Sequence, residues 1–394
     1  MTRDEIKKLG DYRPPALPFP AGSFLWKVLK EKNVDFGPET CVDVILAGGE
    51  STRMRMGRHS KMGCTLEEEP AIIRDIKAGR AAGMKQLIVI GAYAEEIVKS
   101  IDQDPAYPAP PVRAGAREGE GFVYQHERLG TAHAAFQAAR FLEAQGYLGH
   151  IMVRPGDMAN VKPATLRELR QRFDQENCDM MVVVGYKKKF PAFGRVLYRK
   201  DGSVYASIES WDIIKMRLLR KIREGIEKEG KSHQDIINMI HQEFEAASLD
   251  KSKIKIILAG IVESLEKGAS LGEIASSIET RSLNSLVRES DGTQTSLTPE
   301  EVEERCDKVN SSLYIFKAEP FYQAIKEITN DNAQNQYYLT DIIEIFNRLG
   351  YKVHGVLIKD DREMDGFNTP AMLERMRRDL DSEDFKKFEP GGLL

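Results

Sequence analysis

The sequence is poor in cysteine and tryptophan, with four of one and two of the other in 394 residues. Cys41, Cys64, Cys178 and Cys306 stand far apart without Cys-x-x-Cys spacing. That scatter argues against a zinc site and a disulfide framework, and for four reduced thiols. No apolar run approaches the roughly 20 residues that span a bilayer. The opening MTRDEIKKLGDYRPP carries both charge signs and no apolar stretch of a secretory signal. These absences point to a cytoplasmic protein with no membrane partner. A net charge of -4 supplies no basic field for nucleic acid, and no stripe of interleaved aromatics and cations occurs. The length and the 41% hydrophobic content suffice for a large core in two or three domains.

Both familiar phosphate-loop signatures are missing as well. The stretch Val44 to Lys61, VILAGGESTRMRMGRHSK, is a β-branched apolar run that breaks into Gly48-Gly49 and then into spaced cations. A dinucleotide GxGxxG would need glycine at Thr52, and a P-loop would end in Gly-Lys-Ser/Thr. A buried strand whose end exposes backbone N–H groups beside Arg53 and Lys61 still outlines a nucleotide-phosphate site. An unliganded strand-to-helix turn explains the two glycines equally well, so the loop alone leaves both readings open.

From Cys41 short apolar runs alternate with helical patterns: VDVILAG, a helix over 72–82, KQLIVIGAY, a helix over 131–142, HIMVRPGD, a helix over 165–177, and CDMMVVVGY. That order predicts an α/β fold with a mostly parallel central sheet covered on both faces. Ligands of such sheets sit at strand C-terminal ends, where Gly48, Asp157 and Gly185 fall. FGRVLYRKDGSVYASIES reads as a β-hairpin turning at Asp201-Gly202, and a strand resumes at Lys308. Residues 1–40 read as an arm, with prolines from Pro14 to Pro20 and then a helical turn whose Phe24, Leu25 and Trp26 require burial. Residues 41–212 and 307–394 form the main domain.

Between those parts, residues 213–306 read as an all-helical insertion of four or five helices. Ser232 with Asp235, Ser270 with Glu273, and Thr298-Pro299-Glu300-Glu301 carry helix-start signals. Ile222 and Ile226, Ile236 and Ile240, and Leu271, Ile274 and Ile278 recur at helical spacing. Several apolar faces on a peripheral insertion suggest a homodimer interface, although helices that pack on one another satisfy them too.

Leu46-Ala47-Gly48-Gly49-Glu50-Ser51-Thr52-Arg53-Met54 resembles the LAxGxGTRM opening of the sugar-phosphate nucleotidyltransferases, with Ser51 where glycine is usual. Gln125 to Ala134, QHERLGTAHA, is similar to the QxxxLGTxHA segment of the N-acetylglucosamine-1-phosphate uridylyltransferases in that family. The resemblance covers about residues 41–212 and 307–380. It implies a Rossmann-like nucleotidyltransferase fold acting on UTP and a sugar-1-phosphate with Mg2+. It further implies that the backbone of Leu46, Ala47, Gly48 and Gly49 meets the nucleotide and that Gln125, Gly130 and Thr131 meet the uracil edge. Arg53 would hold the leaving pyrophosphate, and Lys61 the phosphates around the α-phosphorus.

Asp157 in RPGDM and Asn368 in EMDGFN match the family's magnesium ligands. One carboxylate and one amide oxygen suffice, because magnesium keeps waters and phosphate oxygens. Gly194 in FGRV, Glu209 in IES and Asn310 in VNSS match positions that hold the sugar. His133 reads as a packed helix residue and Thr131 as a helix cap. NAQNQYYLTD, residues 332–341, tracks the family's NAQGEYYLTD as a turn leading into a helix. Departures fall at Pro155 for tyrosine, Ser311-Ser312 for Thr-Gly, and Glu67-Glu68-Glu69-Pro70 for Gly-Lys-Pro, which leaves the sugar open. The bifunctional bacterial members append a hexapeptide-repeat acetyltransferase, and no such period follows Asn368. Other sugars, another base, or a non-catalytic sugar-nucleotide binder are the competing readings.

Overall fold

The structure is a computed structural model, and it describes residues 8–31, 34, 36–37, 41–50, 54, 59–103, 120–246, 253–279, 283–387 and 393. The longer early strands form where β-branched and other apolar residues cluster: β1 (Val42–Leu46), β4 (Lys85–Ile90), β5 (Gly121–Tyr124), β6 (His150–Pro155) and β7 (Met180–Tyr186), with the short pair β2 (Thr65–Leu66) and β3 (Glu69–Pro70) between β1 and β4. Later come β8 (Arg195–Tyr198), β9 (Val204–Ile208), β10 (Ser285–Arg288), β11 (Gln294–Leu297), β12 (Lys308–Lys317) and β13 (Val353–Leu357). The chain divides into two compact units, one of 1–185 with 310–329 and 337–394, the other of 186–309 with 330–336.

In the first unit the strand order is β13-β7-β12-β6-β1-β4-β5. β1 is parallel to β4 and β6, β4 to β5, and β13 to β7, while β12 runs antiparallel to β6. Val42, Val44 and Ile45 of β1 are fully buried, as a strand covered on both faces must be. The helices of this unit are α1 (Phe24–Glu31), α2 (Ala71–Ala81), α3 (Ala94–Gln103), α4 (Thr131–Ala144) and α5 (Pro163–Glu176). The mostly parallel sheet expected from the alternating pattern is therefore present. The arm is anchored by Leu9 and Gly10 N–H groups on the Ile328 and Lys326 carbonyls. Leu25 and Val28 of α1 enter the same apolar cluster as Ile45, Ile76 and Ile88. Phe24 does not: at 38% exposure it stays at the surface, because the buried stripe of α1 passes through Leu25 and Val28.

The second unit holds α6 (Ser210–Glu227), α7 (His233–Ala246), α8 (Ile254–Ile257), α9 (Ala259–Glu266), α10 (Leu271–Ser277) and α11 (Pro299–Arg305). Ser270 with Glu273 and Thr298 with Glu301 form the capping boxes that the sequence announced. Leu218, Ile222, Ile236, Ile240, Phe244 and Ile274 meet in one cluster, so the apolar stripes pack on one another. Two expectations are corrected. Residues 213–306 are not all helical, since β10 and β11 form an antiparallel hairpin turning at Gly292, whose φ is +85°. The hairpin escaped notice because Gln294-Thr295-Ser296-Leu297 has one apolar residue, although Asp291-Gly292 is a strong turn signal. The unit also starts earlier than residue 213, for β8 and β9 cluster with these helices. Their hairpin turns at Gly202, as expected.

The remaining helices belong to the first unit: α12 (Ala318–Ile325), α13 (Ile342–Arg348), α14 (Pro370–Asp381) and α15 (Glu383–Lys387). Among the described residues no helix is long and apolar enough to cross a membrane. All four cysteines are buried and free, as their scatter predicted.

Candidate active site

The order β6-β1-β4-β5 brings four parallel strand ends side by side, with Leu46 paired to Val89 and Pro155, and Ile90 to Tyr124. The residues that follow those ends therefore line one edge of the sheet. They are Gly156-Asp157 after β6, Ala47-Gly48 after β1, Gly91 after β4 and Gln125 after β5. Ala47 N–H donates to Val89 O at 2.9 Å and Gln125 N–H to Ile90 O at 2.8 Å, which extends the ladder into the site.

Gly48 leaves no room for a side chain unless the Gln125 amide moves. A Cβ there would overlap Gln125 Oε1, and a Cβ at Gly91 would lie 2.6 Å from Gly48 O. The loop after β1 thus passes close to the Gln125 amide. Gln125 Nε2 lies 3.3 Å from Gly130 O and 3.3 Å from His133 Nδ1. His133 is fully buried, packed edge-on against Tyr12, and burial holds its pKa down at about 4. It is a packed helix residue, but one that touches the amide of Gln125.

Gly130 takes φ +124°, and a Cβ there would overlap Tyr337 O. It, and not Thr131, is the N-cap of α4. Thr131 is the first helical residue, and its hydroxyl accepts from Leu339 N–H at 3.1 Å. Ala132 N–H donates to Tyr337 O at 2.9 Å, and Tyr337 N–H to Leu129 O at 2.7 Å. The LGT turn is therefore laced to the YYL segment over 337–339, which is followed by the short turn Leu339–Asp341 and α13. The stretch read as structural thus holds the LGT turn in place.

The second cluster forms around Lys61. Its Nζ lies 2.5 Å from Asp157 Oδ2, 2.8 Å from Asn368 Oδ1 and 3.2 Å from Phe367 O. Two segments distant from Lys61 thus place three oxygens about its ammonium. Gly156 N–H donates to Leu46 O at 3.1 Å and sets Asp157 beyond the sheet edge. A Cβ at Gly366 would lie 2.9 Å from Asp157 Oδ2, so glycine lets the late segment approach the carboxylate. Phe367 is buried with Leu66, Met376 and Leu380, which fixes its carbonyl. Thr369 caps α14, accepting from Met372 N–H at 3.3 Å, so Asn368 is not the cap and its side chain faces Lys61.

Beneath this cluster lies a charged knot that sequence reasoning did not single out. Arg154 on β6 donates to both oxygens of Asp43 at 2.9 Å, and to Asp75 through a short contact to Oδ1 and at 2.7 Å to its carbonyl. All three side chains are fully buried. Burial pushes the Asp75 carboxyl up to about 7, against the pull of Arg154. Asp43 within the apolar run of β1 and Arg154 after Ile151-Met152-Val153 of β6 were the available signal.

Not every expected residue joins these clusters. Arg53 lies outside the described residues. Gly194 and Glu209 belong to the second unit, where a Cβ on Gly194 would lie 3.4 Å from Glu209 Oε1. Asn310 belongs to the first unit; its Nδ2 donates to Tyr314 OH and its Oδ1 accepts from Ser312 N–H, both at 2.8 Å. Ser312 has φ +64°, a left-handed conformation at the position where the resembling motif carries glycine. Phe367 O was missed because a backbone acceptor leaves no trace in residue type, and Gly366 because its close approach to Asp157 is a tertiary contact.

Residues 44–234 match the MobA-like NTP transferase domain. That stretch is a nucleotidyltransferase domain. The chain is 23% identical over 340 residues to the bifunctional protein GlmU of Caldanaerobacter subterraneus subsp. tengcongensis, an overlap of 86% of this chain and 51% of the relative. It is 22% identical over 356 residues to that of Acetivibrio thermocellus, covering 90% and 55% of the two chains. The GlmU of Pelotomaculum thermopropionicum is 25% identical over 343 residues, covering 86% and 51%. The chain spans about half the length of the curated relatives it matches.

Proposed function

We propose that this nucleotidyltransferase moves a uridylyl group from UTP to a sugar-1-phosphate, with N-acetylglucosamine-1-phosphate as the leading acceptor. The observation that carries the reading is the pair of clusters on one sheet edge: Lys61 with Asp157, Asn368 and Phe367 O, and Gly48 with Gln125 and Gly130. A phosphate oxygen of the sugar-1-phosphate attacks the α-phosphorus in line. A new P–O bond forms, the α–β P–O bond breaks, and pyrophosphate departs with the electron pair. The nucleophile is already anionic, so the chain need only position and neutralise charge. Lys61 steadies the α-phosphate oxygens and Arg53 the departing pyrophosphate. Gln125, Gly130 and Thr131 hold the uracil edge, where unpaired polar groups penalise the wrong base. Gly194, Glu209 and Asn310 serve the sugar hydroxyls.

Magnesium fits the donor set, because Asp157 carboxylate, Asn368 amide oxygen and Phe367 carbonyl are hard oxygens already gathered about one positive charge. Bound there, it would supply further neutralisation of phosphate charge. A cytoplasmic location belongs to the same reading, supported by four free, buried thiols.

Pyrophosphate release with UTP, CTP and a panel of sugar-1-phosphates tests the proposal. UTP with N-acetylglucosamine-1-phosphate should give the fastest release. Lys61→Ala and Asp157→Ala should each lower kcat by about 1,000-fold in folded protein. Wild-type rates in either variant would remove the site assignment, and no release from any pair would favour a non-catalytic binder.

A further inference from the structure

The turn that enters β8 is held by an ion pair reaching across the second unit. Arg195 is almost fully buried, and its guanidinium forks onto Glu303 of α11, with Nε 3.1 Å from Oε2 and Nη2 2.9 Å from Oε1. The remaining terminal nitrogen, Nη1, donates to Phe193 O through a short contact. Lys187 holds the same glutamate, donating to its backbone carbonyl and standing 3.6 Å from Oε2. The Phe193 ring stacks on Phe190 at 4.8 Å.

Phe193 C=O and Gly194 N–H belong to one peptide unit, and in a trans peptide they point in opposite directions. Fixing that carbonyl on Arg195 therefore aims Gly194 N–H away from the arginine. The guanidinium can hold the carbonyl only while its planar fork is itself held, which a bidentate carboxylate does and a single acceptor does not. A Cβ built on Gly194 would lie 3.1 Å from Ser207 Oγ and 3.3 Å from Ile208 O, and the glycine that fits there is conformationally permissive, so the peptide can turn once it is released from Arg195.

We infer that Glu303 is a positioning residue for sugar-phosphate binding, acting through Arg195 to orient the Gly194 N–H. The inference rests on the proposed uridylyl transfer, in which Gly194 meets the sugar. It gives the helical part of the second unit a task in acceptor recognition, since α11 supplies the carboxylate. Glu303→Gln replaces one carboxylate oxygen with an NH2 group that faces the guanidinium and breaks the fork.

Steady-state pyrophosphate release with N-acetylglucosamine-1-phosphate and UTP provides the test. Glu303→Gln should raise KM for the sugar phosphate about tenfold and leave KM for UTP unchanged, the loss of roughly one well-aligned hydrogen bond. Because the glutamine variant leaves a buried arginine uncompensated, the double variant Arg195→Met/Glu303→Met is measured beside it. Replacing both members of a partly buried pair with apolar groups is commonly tolerated by a fold, yet it frees the Phe193 carbonyl. The same split in KM should appear. Wild-type KM values in the folded double variant would overturn the inference, as would equal rises for both substrates in Glu303→Gln. A wild-type protein inert with this substrate pair overturns the uridylyl-transfer reading itself.

Discussion

Removing the Lys61 ammonium while keeping its length should turn the Asp157 cluster into a magnesium-dependent stability switch. In Lys61→Met the oxygens of Asp157, Asn368 and Phe367 lose the cation they share. The Lys61 and Asp157 side chains are 13% and 11% exposed, so the carboxylate left behind is largely withdrawn from water. Breaking a buried ion pair by removing one partner costs about 3–5 kcal/mol, and the residual exposure puts this one near about 3 kcal/mol. For a protein of this size that lowers the melting temperature by roughly 3–5 °C. Magnesium at about 100 times its Kd would return about 2.7 kcal/mol. The wild type should gain less from magnesium, because the metal must first displace an ammonium from the same oxygens. Thermal melts with chelator and with millimolar magnesium measure both shifts, and Asp157→Asn in the Lys61→Met background should abolish the response. A Lys61→Met protein indifferent to magnesium would refute the reasoning, as would one that responds equally with Asp157 removed.

Two more outcomes follow from the packing. Gly130→Ala must force a Cβ against Tyr337 O at φ +124°, so it should lose about 3 kcal/mol in urea unfolding; a loss under about 0.5 kcal/mol would show that the LGT turn relaxes freely. Burial raises the Glu363 carboxyl from 4.5 to about 7, while its Oε2 accepts Lys162 N–H at 2.9 Å. Between those pH values the folded chain keeps a proton that the unfolded chain has released, so stability falls as pH rises. At about 1.4 kcal/mol for each pH unit the loss reaches about 3 kcal/mol above pH 7. Glu363→Gln should flatten this slope and stabilise the protein at pH 8 relative to wild type, and an unchanged slope between pH 5 and pH 8 would refute the attribution.

Chain-local information sufficed for much of this protein. Runs such as VDVILAG and KQLIVIGAY alternate with helical periods, and that alternation by itself dictates parallel strands with covered faces. Capping boxes at Ser270 and Thr298, the hairpin turn at Gly202 and the scatter of cysteines were equally legible, because each depends on residues within a few positions of one another. The polar hairpin β10-β11 was not, since its strands carry too few apolar residues to show a period of two.

Only the tertiary structure decided which distant residues share a space. Strand order β6-β1-β4-β5 is a pairing of edges that no local pattern encodes, and it alone puts Gly48, Gln125 and Asp157 along one rim. Side chains 96 and 307 residues from Lys61 converge on its ammonium. The Phe367 carbonyl, the buried Arg154 knot and the grip of Glu303 on Arg195 arise in the same way. Sequence chose the chemical groups and the local elements that carry them. Burial in a close-packed fold, where a charge must find a partner and a glycine is needed wherever backbones meet, chose their neighbours.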